Sequence, residues 1–165
     1  GDEPNPDAVA ALDSYLVMLA DRGFNASTFA ARVTTSTGTD VYSAIVSAIG
    51  TLKGPAHGGA TQRAMEQFID AAQHGDVEAW FKDARESGKR IMGIGHRIYN
   101  VDYYSAVVLY TIGLPIDQFT CIFAMSRIAG WCSQVLEQLA DNRLIRPKEG
   151  YVGKRDQVYV PLADR

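Results

Sequence analysis

Hydrophobic residues recur three and four positions apart along most of the chain, which is the period of an amphipathic α-helix. The first such stripe follows a proline-rich helix-start signal at residues 4–7 and ends at Gly23. Asn25 and Asp40 are typical N-cap residues for a second and a third helix. The apolar residues expected on these three helices are Val9, Leu12, Leu16 and Leu19; Phe29 and Val33; and Val41, Ile45, Ile49 and Leu52. The pattern therefore predicts three helices before Gly54.

The second half of the chain predicts longer helices and one loop. Helical spacing covers residues 59–73, a short stretch capped by Asp76, residues 102–111 and residues 118–141. The residues expected to face inward are Ala64, Met65, Phe68, Ile69 and Ala72; Val77, Trp80, Phe81 and Ala84; and Ile122, Met125, Ile128, Ala129, Cys132, Val135, Leu136 and Leu139. Residues 89–99 lack the period and contain two glycines, which favours a loop. The fragment at residues 158–160 has the alternating pattern of an extended strand, so the C-terminal tail is predicted to be extended. The prediction for the chain is a single all-α helical bundle with this extended tail.

Composition narrows the class of protein. A chain of 165 residues with 47% hydrophobic residues is large enough for one domain with a core. A net charge of −3 gives no overall field that would attract nucleic acid or a membrane surface. No apolar run reaches the roughly 20 residues that cross a bilayer, and no signal-peptide pattern is present, so we expect a cytoplasmic protein. Cys121 and Cys132 lack a CxxC spacing and are expected to be reduced core residues.

The three histidines are the first candidates for proton transfer, because imidazole titrates near neutrality. His74 follows a helical stretch and is interpreted as structural, since a histidine interacts favourably with the carbonyl dipoles of a helix end. His57 stands among small residues before a predicted helix N-terminus, which favours close approach of a ligand and a neutral imidazole. His96 lies between glycines, but Ile98 occupies the third glycine position of a dinucleotide fingerprint. No pair of these groups has metal-ligand spacing, so no metal site is predicted.

Asp102 and Arg127 are two charged residues whose positions in predicted helices allow a functional as well as a structural role. Asp102 opens a predicted helix, where aspartate is ordinarily an N-cap. Arg127 falls within the apolar pattern of the last helix, where a guanidinium needs an anionic partner, either a structural carboxylate or a ligand. The tail adds a basic set that is either solvated surface or a contact for phosphate and carboxylate groups: Arg143, Arg146, Lys148, Lys154 and Arg155.

Five motifs, in order along the chain, resemble the citrate synthase family of the bacterial and archaeal type. They are Asn25-Ala26-Ser27-Thr28-Phe29, Gly54-Pro55-Ala56-His57-Gly58-Gly59-Ala60, Gly93-Ile94-Gly95-His96-Arg97-Ile98-Tyr99, Asn100-Val101-Asp102-Tyr103-Tyr104-Ser105 and Phe123-Ala124-Met125-Ser126-Arg127. The resemblance implies an all-α homodimer or higher homo-oligomer that condenses acetyl-CoA with oxaloacetate. It also implies hydrolysis of the thioester to citrate and CoA, with no permanently bound cofactor.

The same resemblance implies a role for each candidate residue. Asp102 would remove a methyl proton from acetyl-CoA, His57 would hydrogen-bond the developing enol oxygen, and His96 would polarise the oxaloacetate carbonyl. A thioester methyl is a very weak acid, so a carboxylate deprotonates it only if the enolate oxygen is stabilised at the same moment. Arg127 would bind a substrate carboxylate, and Arg146 would reach into the partner subunit's site. The CoA adenine would lie against the backbone of Ile91, Met92, Gly93, Ile94 and Gly95.

The chain departs from the family pattern at three places. Arg22 stands where the family has a substrate-binding histidine, and its guanidinium suits a carboxylate. The family also has a helical region ahead of the matching part, and a further segment where Asn100 here directly precedes Val101. We therefore predict large-domain helices over residues 1–55, a small domain that lacks a segment over residues 56–115, and a long large-domain helix with the tail over residues 116–165. Two alternatives remain open: a 2-methylcitrate synthase that uses propionyl-CoA, and a non-catalytic binding or interaction module.

Overall fold

A computed structural model describes residues 3–92, 101–148, 150, 152 and 153, with the backbone alone for residues 101 and 102. The helices in these ranges are α1 Pro6–Leu19, α2 Ala26–Ser36, α3 Val41–Leu52, α4 Gly59–His74, α5 Val77–Glu86, α6 Val101–Thr111 and α7 Phe119–Ala140, with a turn of 3-10 helix at Ile116–Gln118. The described residues contain no strand, and the predicted all-α class is confirmed. The alternating stretch at residues 158–160 lies outside the described residues.

The helix starts follow the capping residues that the sequence predicts. Asn25 Oδ1 accepts a hydrogen bond from the N–H of Thr28 at 3.1 Å. Asp40 Oδ1 accepts one from the N–H of Ser43 at 2.9 Å, and Asp76 caps α5 in the same way. These bonds pair N–H groups of the first turn that have no acceptor within the helix. Local sequence therefore determines where α2, α3 and α5 begin.

Helix α7 lies at the centre of the fold and packs against α1, α2, α3 and α4. Its buried residues are Phe119, Phe123, Ser126, Arg127, Gly130, Trp131, Val135 and Gln138. Of the residues predicted to face inward, only Val135 is buried, while Met125 is 60% exposed and Leu136 is 66% exposed. The predicted orientation of α7 is therefore wrong, although its extent is close to the prediction.

The crossing of α1 and α7 explains which face of α7 is buried. Ser126 Oγ donates a hydrogen bond to the carbonyl of Leu16 at 2.6 Å. A Cβ on Gly130 would lie 3.0 Å from the carbonyl carbon of Ala20 and 3.1 Å from Cα of Asp21, so glycine is needed for the close approach. The hydrogen bond of Ser126 and the absence of a side chain at Gly130 determine which face of α7 packs against α1. Neither feature can be recognised from hydrophobic periodicity.

The buried face of α3 also differs from the predicted stripe. Ala44 and Ala48 are fully buried, as is Ala31 on the neighbouring helix α2. Val41 and Ile49 of the predicted stripe are exposed. Alanine side chains let two helix backbones approach closely, while Tyr42 and Val46 join Val41 and Ile49 on the outer surface. Of the predicted stripe, Leu52 is buried and Ile45 packs against the core.

Other predictions are wrong as well: Val9 of α1 and Phe29 of α2 are exposed. In α4, Ala71 is buried and Ala72 is exposed, the reverse of the prediction. In α5, Val77 and Phe81 are exposed because this helix packs mainly on α4. Both cysteines are free thiols, but Cys121 is exposed and Cys132 only partly buried, so neither is a core residue. Cys121 lies one turn before exposed residues on the outer side of α7, which explains its exposure.

Candidate active site

His57 lies in the turn between α3 and α4, which the backbone holds tightly. The N–H groups of His57 and Gly58 donate to the carbonyls of Gly54 and Leu52 at 2.9 and 2.8 Å. A Cβ on Gly58 would lie 2.7 Å from both Cγ and the carbonyl oxygen of Leu52. Gly58 is therefore required for packing against the end of α3, a structural role that the sequence does not reveal.

A chain of hydrogen bonds connects His57 to the start of α2. His57 Nε2 lies 3.0 Å from Ser27 Oγ, and Ser27 Oγ donates to Asn25 Oδ1 at 2.7 Å. Asn25 Oδ1 also accepts from the N–H of Thr28, which identifies it as the amide oxygen. Since the single hydroxyl proton of Ser27 is directed to Asn25, Ser27 Oγ accepts a hydrogen bond from the N–H at His57 Nε2. Ser27 is fully buried and His57 is partly buried, so the bond between them is partly shielded from water.

A cavity of about 730 Å³ opens beside this turn. It is lined by Pro55, Ala56, Arg63, Glu66, Gln67, Asp70, Lys89, Arg90 and Met92. The lining comes from the residues just before His57, from one face of α4 and from the segment after α5. The cavity therefore joins the His57 turn to Met92, one of the residues predicted to contact CoA.

The cavity lining carries charges of both signs. Asp70 Oδ2 accepts from Trp80 Nε1 at 2.9 Å and pairs with Lys89 Nζ at 3.1 Å. The hydrogen bond from Trp80, followed by the hydrogen bond and charge of Lys89, lowers the pKa of the Asp70 carboxyl. Asp70 is thus ionised at neutral pH and compensates the charge of Lys89. The other positive groups of the lining are the exposed side chains of Arg63 and Arg90.

The three arginines predicted to bind substrate lie in different environments. Arg127 is 5% exposed, and its guanidinium carbon lies 4.9 Å from the centroid of the Phe123 ring. Arg22 is exposed in the connection between α1 and α2, and Arg146 is exposed after α7. None of the three is among the described residues that line the cavity.

The segment that carries Arg146 is attached to the end of α2. The N–H of Ile145 donates to Ser36 Oγ at 3.0 Å, and Asn142 Nδ2 reaches the carbonyl of Ser36 at 3.4 Å. Ser36 is itself buried. The backbone next to Arg146 is therefore held by α2, although the Arg146 side chain is exposed.

Several predicted site residues lie outside the described residues: Gly93, Ile94, Gly95, His96 and the side chain of Asp102. The residues just before them are described, with Ile91 partly buried and Met92 buried. The backbone of Asp102 lies in α6, which begins at Val101. His57 and Met92 are thus the predicted residues whose segments the structure brings to one cavity.

Sequence reasoning did not single out Ser27 or Gln67 for their chemistry. Ser27 belongs to the first of the five motifs, and its position two residues after an N-cap asparagine is the available signal. Gln67 shares a polar face with Arg63, Glu66 and Asp70 at spacings of three and four, which marks one side of α4 without indicating a ligand.

The chain matches a family model described as citrate synthase, C-terminal domain, over residues 1–100 and 100–148. The chain belongs to the citrate synthase family. Citrate synthase of Haloferax volcanii is 40% identical to it over 211 residues, which cover 100% of this chain and 56% of the relative. 2-Methylcitrate synthase 1 of Corynebacterium glutamicum is 32% identical over 204 residues, which cover 96% of this chain and 54% of the relative. The family therefore includes relatives named for either product.

A solved structure of the citrate synthase family has the same fold. The ternary complex of carboxymethyl coenzyme A and oxaloacetate with citrate synthase from Thermoplasma acidophilum superimposes with a TM-score of 0.83 at 32% sequence identity. The match covers 100% of this chain and 57% of that chain. The chain thus spans about half the length of the citrate synthases that it matches.

The family match is interrupted inside the chain. Its two parts meet at Asn100, and the alignment with the Haloferax citrate synthase runs over 211 positions although this chain has 165 residues. That citrate synthase therefore has residues without a counterpart here. The meeting point is the place where the sequence predicts an absent segment, whereas the division into three parts remains a prediction.

The described residues were also compared with the requirements for a membrane span and for a metal site. No helix among them is long and apolar enough to cross a membrane. Within the same residues, no group of three or more His, Cys, Asp or Glu side chains is placed to hold a metal ion.

Proposed function

We propose that this chain carries the condensing site of a citrate synthase, which joins acetyl-CoA to oxaloacetate and hydrolyses the thioester to citrate and CoA. The observation that carries the proposal is the cavity between the His57 turn and Met92. One wall adjoins a histidine with a fixed hydrogen bond, and the other leads into the predicted CoA segment. The ternary complex of the Thermoplasma relative with a CoA derivative and oxaloacetate supports this assignment.

His57 is assigned to the enol oxygen that develops on acetyl-CoA. Ser27 fixes the orientation of the ring through Nε2, and Nδ1 is the nitrogen that we assign to the substrate. A neutral ring donates from Nδ1 only when Ser27 turns its hydroxyl proton from Asn25 to Nε2. The rotation accompanies a change of tautomer, in which Nε2 releases its proton to solvent and Nδ1 takes one up from it. A preorganised donor at a developing oxyanion is worth about 3–4 kcal/mol in related sites.

Asp102 is assigned as the base that removes the methyl proton, and His96 as the group that polarises the oxaloacetate carbonyl. Arg127, buried against Phe123, is assigned to a carboxylate of oxaloacetate, because its planar fork matches a carboxylate. Arg22 is assigned to a carboxylate in place of the family histidine, and Arg146 to the site of a partner subunit. Ile91, Met92, Gly93, Ile94 and Gly95 are assigned to the adenine of CoA, with acetyl-CoA as cosubstrate and no permanent cofactor.

Asp102→Asn tests the catalytic assignment. We expect the variant to lose the release of free thiol from acetyl-CoA plus oxaloacetate by about 10²–10⁴-fold, the usual contribution of a positioned base. Oxaloacetate binding, followed by calorimetry, should persist. Asp117→Asn, at an exposed aspartate of the 3-10 turn, is the matched control and should keep wild-type turnover. Undiminished thiol release by Asp102→Asn would refute the assignment.

The two alternatives have separate outcomes in the same assay. A 2-methylcitrate synthase would release thiol faster from propionyl-CoA than from acetyl-CoA. The similarity to the 2-methylcitrate synthase of Corynebacterium supports this alternative. One methylene is worth only about 1–3 kcal/mol of discrimination in an apolar pocket. Binding of CoA or oxaloacetate without any thiol release would instead identify a non-catalytic binding module.

We also propose that the protein is a cytoplasmic homodimer or higher homo-oligomer. The outer faces of α3 and α7 expose a set of large apolar side chains: Tyr42, Val46, Ile49, Met125, Ile128, Leu136 and Leu139. Monomers rarely leave so many large apolar residues uncovered on adjacent packed helices. Leu136→Asp should shift sedimentation toward the monomer, whereas Val77→Asp on exposed α5 should not. A wild-type protein that sediments as a monomer at micromolar concentration would contradict the proposal.

A further inference from the structure

Gln67 makes two hydrogen bonds to one short stretch of backbone. Its Nε2 donates to the carbonyl of Arg90 at 2.8 Å, and its Oε1 accepts from the N–H of Met92 at 2.7 Å. The carbonyl of one residue and the N–H of the second residue after it point to the same side of an extended chain. The side-chain amide therefore pairs with this stretch as a neighbouring strand would.

Helix α4 holds the same stretch at a second point, one residue earlier. Asp70, three positions after Gln67 on the same face, binds Lys89 Nζ at 3.1 Å. Lys89 Nζ also lies 5.1 Å from the centroid of the Trp80 ring. Residues 89–92 are thus attached to α4 through a side chain at one end and through the backbone at the other.

We propose that Gln67 is a positioning residue for CoA. By fixing the backbone of Arg90 and Met92, it orders Ile91 and Met92, the described beginning of the proposed CoA-binding segment, before the ligand arrives. A site that is already ordered loses less conformational entropy on binding. This inference rests on the proposed function, which assigns Ile91 to Gly95 to CoA, and it adds a residue of α4 that acts on CoA affinity through the backbone of Arg90 and Met92.

Gln67→Met removes both hydrogen bonds with little change of volume, and Gln67→Glu keeps the acceptor for Met92 but loses the donor to Arg90. Gln62→Met is the matched control, because Gln62 lies on the same helix and its hydrogen bond among the described residues stays within that helix, at 2.9 Å to Glu66. Calorimetry with CoA should give an approximately tenfold higher Kd for Gln67→Met. Gln67→Glu should fall between that variant and wild type. Gln62→Met should match wild type, and all four proteins should bind oxaloacetate equally.

Hydrogen exchange of the Met92 amide supplies a readout that does not depend on the ligand. The amide should exchange faster in Gln67→Met than in wild type and Gln62→Met. Wild-type CoA affinity in Gln67→Met would overturn the positioning role while leaving the proposed function intact. Equal weakening of CoA and oxaloacetate would also overturn it, because it would indicate general destabilisation. Absence of CoA binding by the wild-type protein would overturn the CoA assignment itself, and the positioning role with it.

Discussion

Gly130→Ala is the substitution that tests the close crossing of α1 and α7. The added Cβ would lie 3.0 Å from the carbonyl carbon of Ala20 and 3.1 Å from Cα of Asp21, and it would also meet the carbonyl oxygen of Ala20. All of these are backbone atoms, so no side chain can rotate away to make room. One of the two helices has to move.

Two opposing terms set the change in the free energy of unfolding. Alanine is favoured over glycine in a helix interior by about 1 kcal/mol. Adding a methyl group to a filled site costs about 1–3 kcal/mol, and contact with backbone places Gly130 at the upper end of that range. The net expectation is a loss of about 2 kcal/mol, which is roughly a thirtyfold increase in the unfolding equilibrium constant.

Gly50→Ala is the matched control for this prediction. Gly50 lies within α3, it is exposed, and its added Cβ would have no heavy atom within 4 Å. Helix propensity alone then acts, and the free energy of unfolding should rise by about 1 kcal/mol. The same substitution, in the same type of structure, is thus expected to have opposite signs at the two positions.

Urea denaturation followed by far-UV circular dichroism measures both variants against wild type. Each is measured at two protein concentrations, because self-association makes the midpoint depend on concentration. A Gly130→Ala protein as stable as wild type would refute the packing of α1 against α7. A loss of stability in Gly50→Ala would show that helix propensity and the steric cost of the added methyl group cannot be treated as separate contributions.

Three further predictions concern single contacts. Hydrogen bonds from the N–H and then the hydroxyl of Ser43 lower the pKa of the Asp40 carboxyl. The stability that this contributes is complete at neutral pH and is lost as the pH falls below about 4. Asp40→Asn keeps the cap without the titration, so its urea midpoint should fall less in acid than that of wild type; an equal fall would contradict this. Ser126→Ala removes a buried hydrogen bond to a carbonyl of α1 and should cost about 1–3 kcal/mol in the same assay, with an unchanged midpoint as the contrary result. A thiol reagent should label Cys121 faster than Cys132, because Cys121 is the exposed one, and mass mapping of the labelled peptides would reveal the opposite order.

The helices were predictable because their starts are encoded locally. Asn25 and Asp40 cap α2 and α3 as the sequence indicates, because capping depends on residues that are adjacent in the chain. The buried face of α7 was not predictable from the same information. Its two faces are both apolar, and the choice between them depends on Gly130 and Ser126, whose contacts with α1 involve residues more than a hundred positions away.

In the candidate site, too, features encoded by neighbouring residues were predictable and those that depend on distant contacts were not. His57 stood out because its motif is continuous in the sequence, and the motif also contains the glycine that packs the turn. Gln67 did not, because its importance lies in bonds to Arg90 and Met92, more than twenty positions along the chain. A side chain that binds another segment's backbone has no fixed spacing, and therefore no sequence signature.

Helix α2 holds two distant parts of the chain at once. Its first turn carries Ser27, which anchors His57, and its last residue, Ser36, anchors the backbone beside Arg146. A helix of 11 residues is about 16 Å long and nearly rigid, and Ala31 at its middle is fully buried. A small tilt about that midpoint swings the two ends in opposite directions. A substitution that changes the packing around Ala31 would therefore displace both His57 and the backbone beside Arg146.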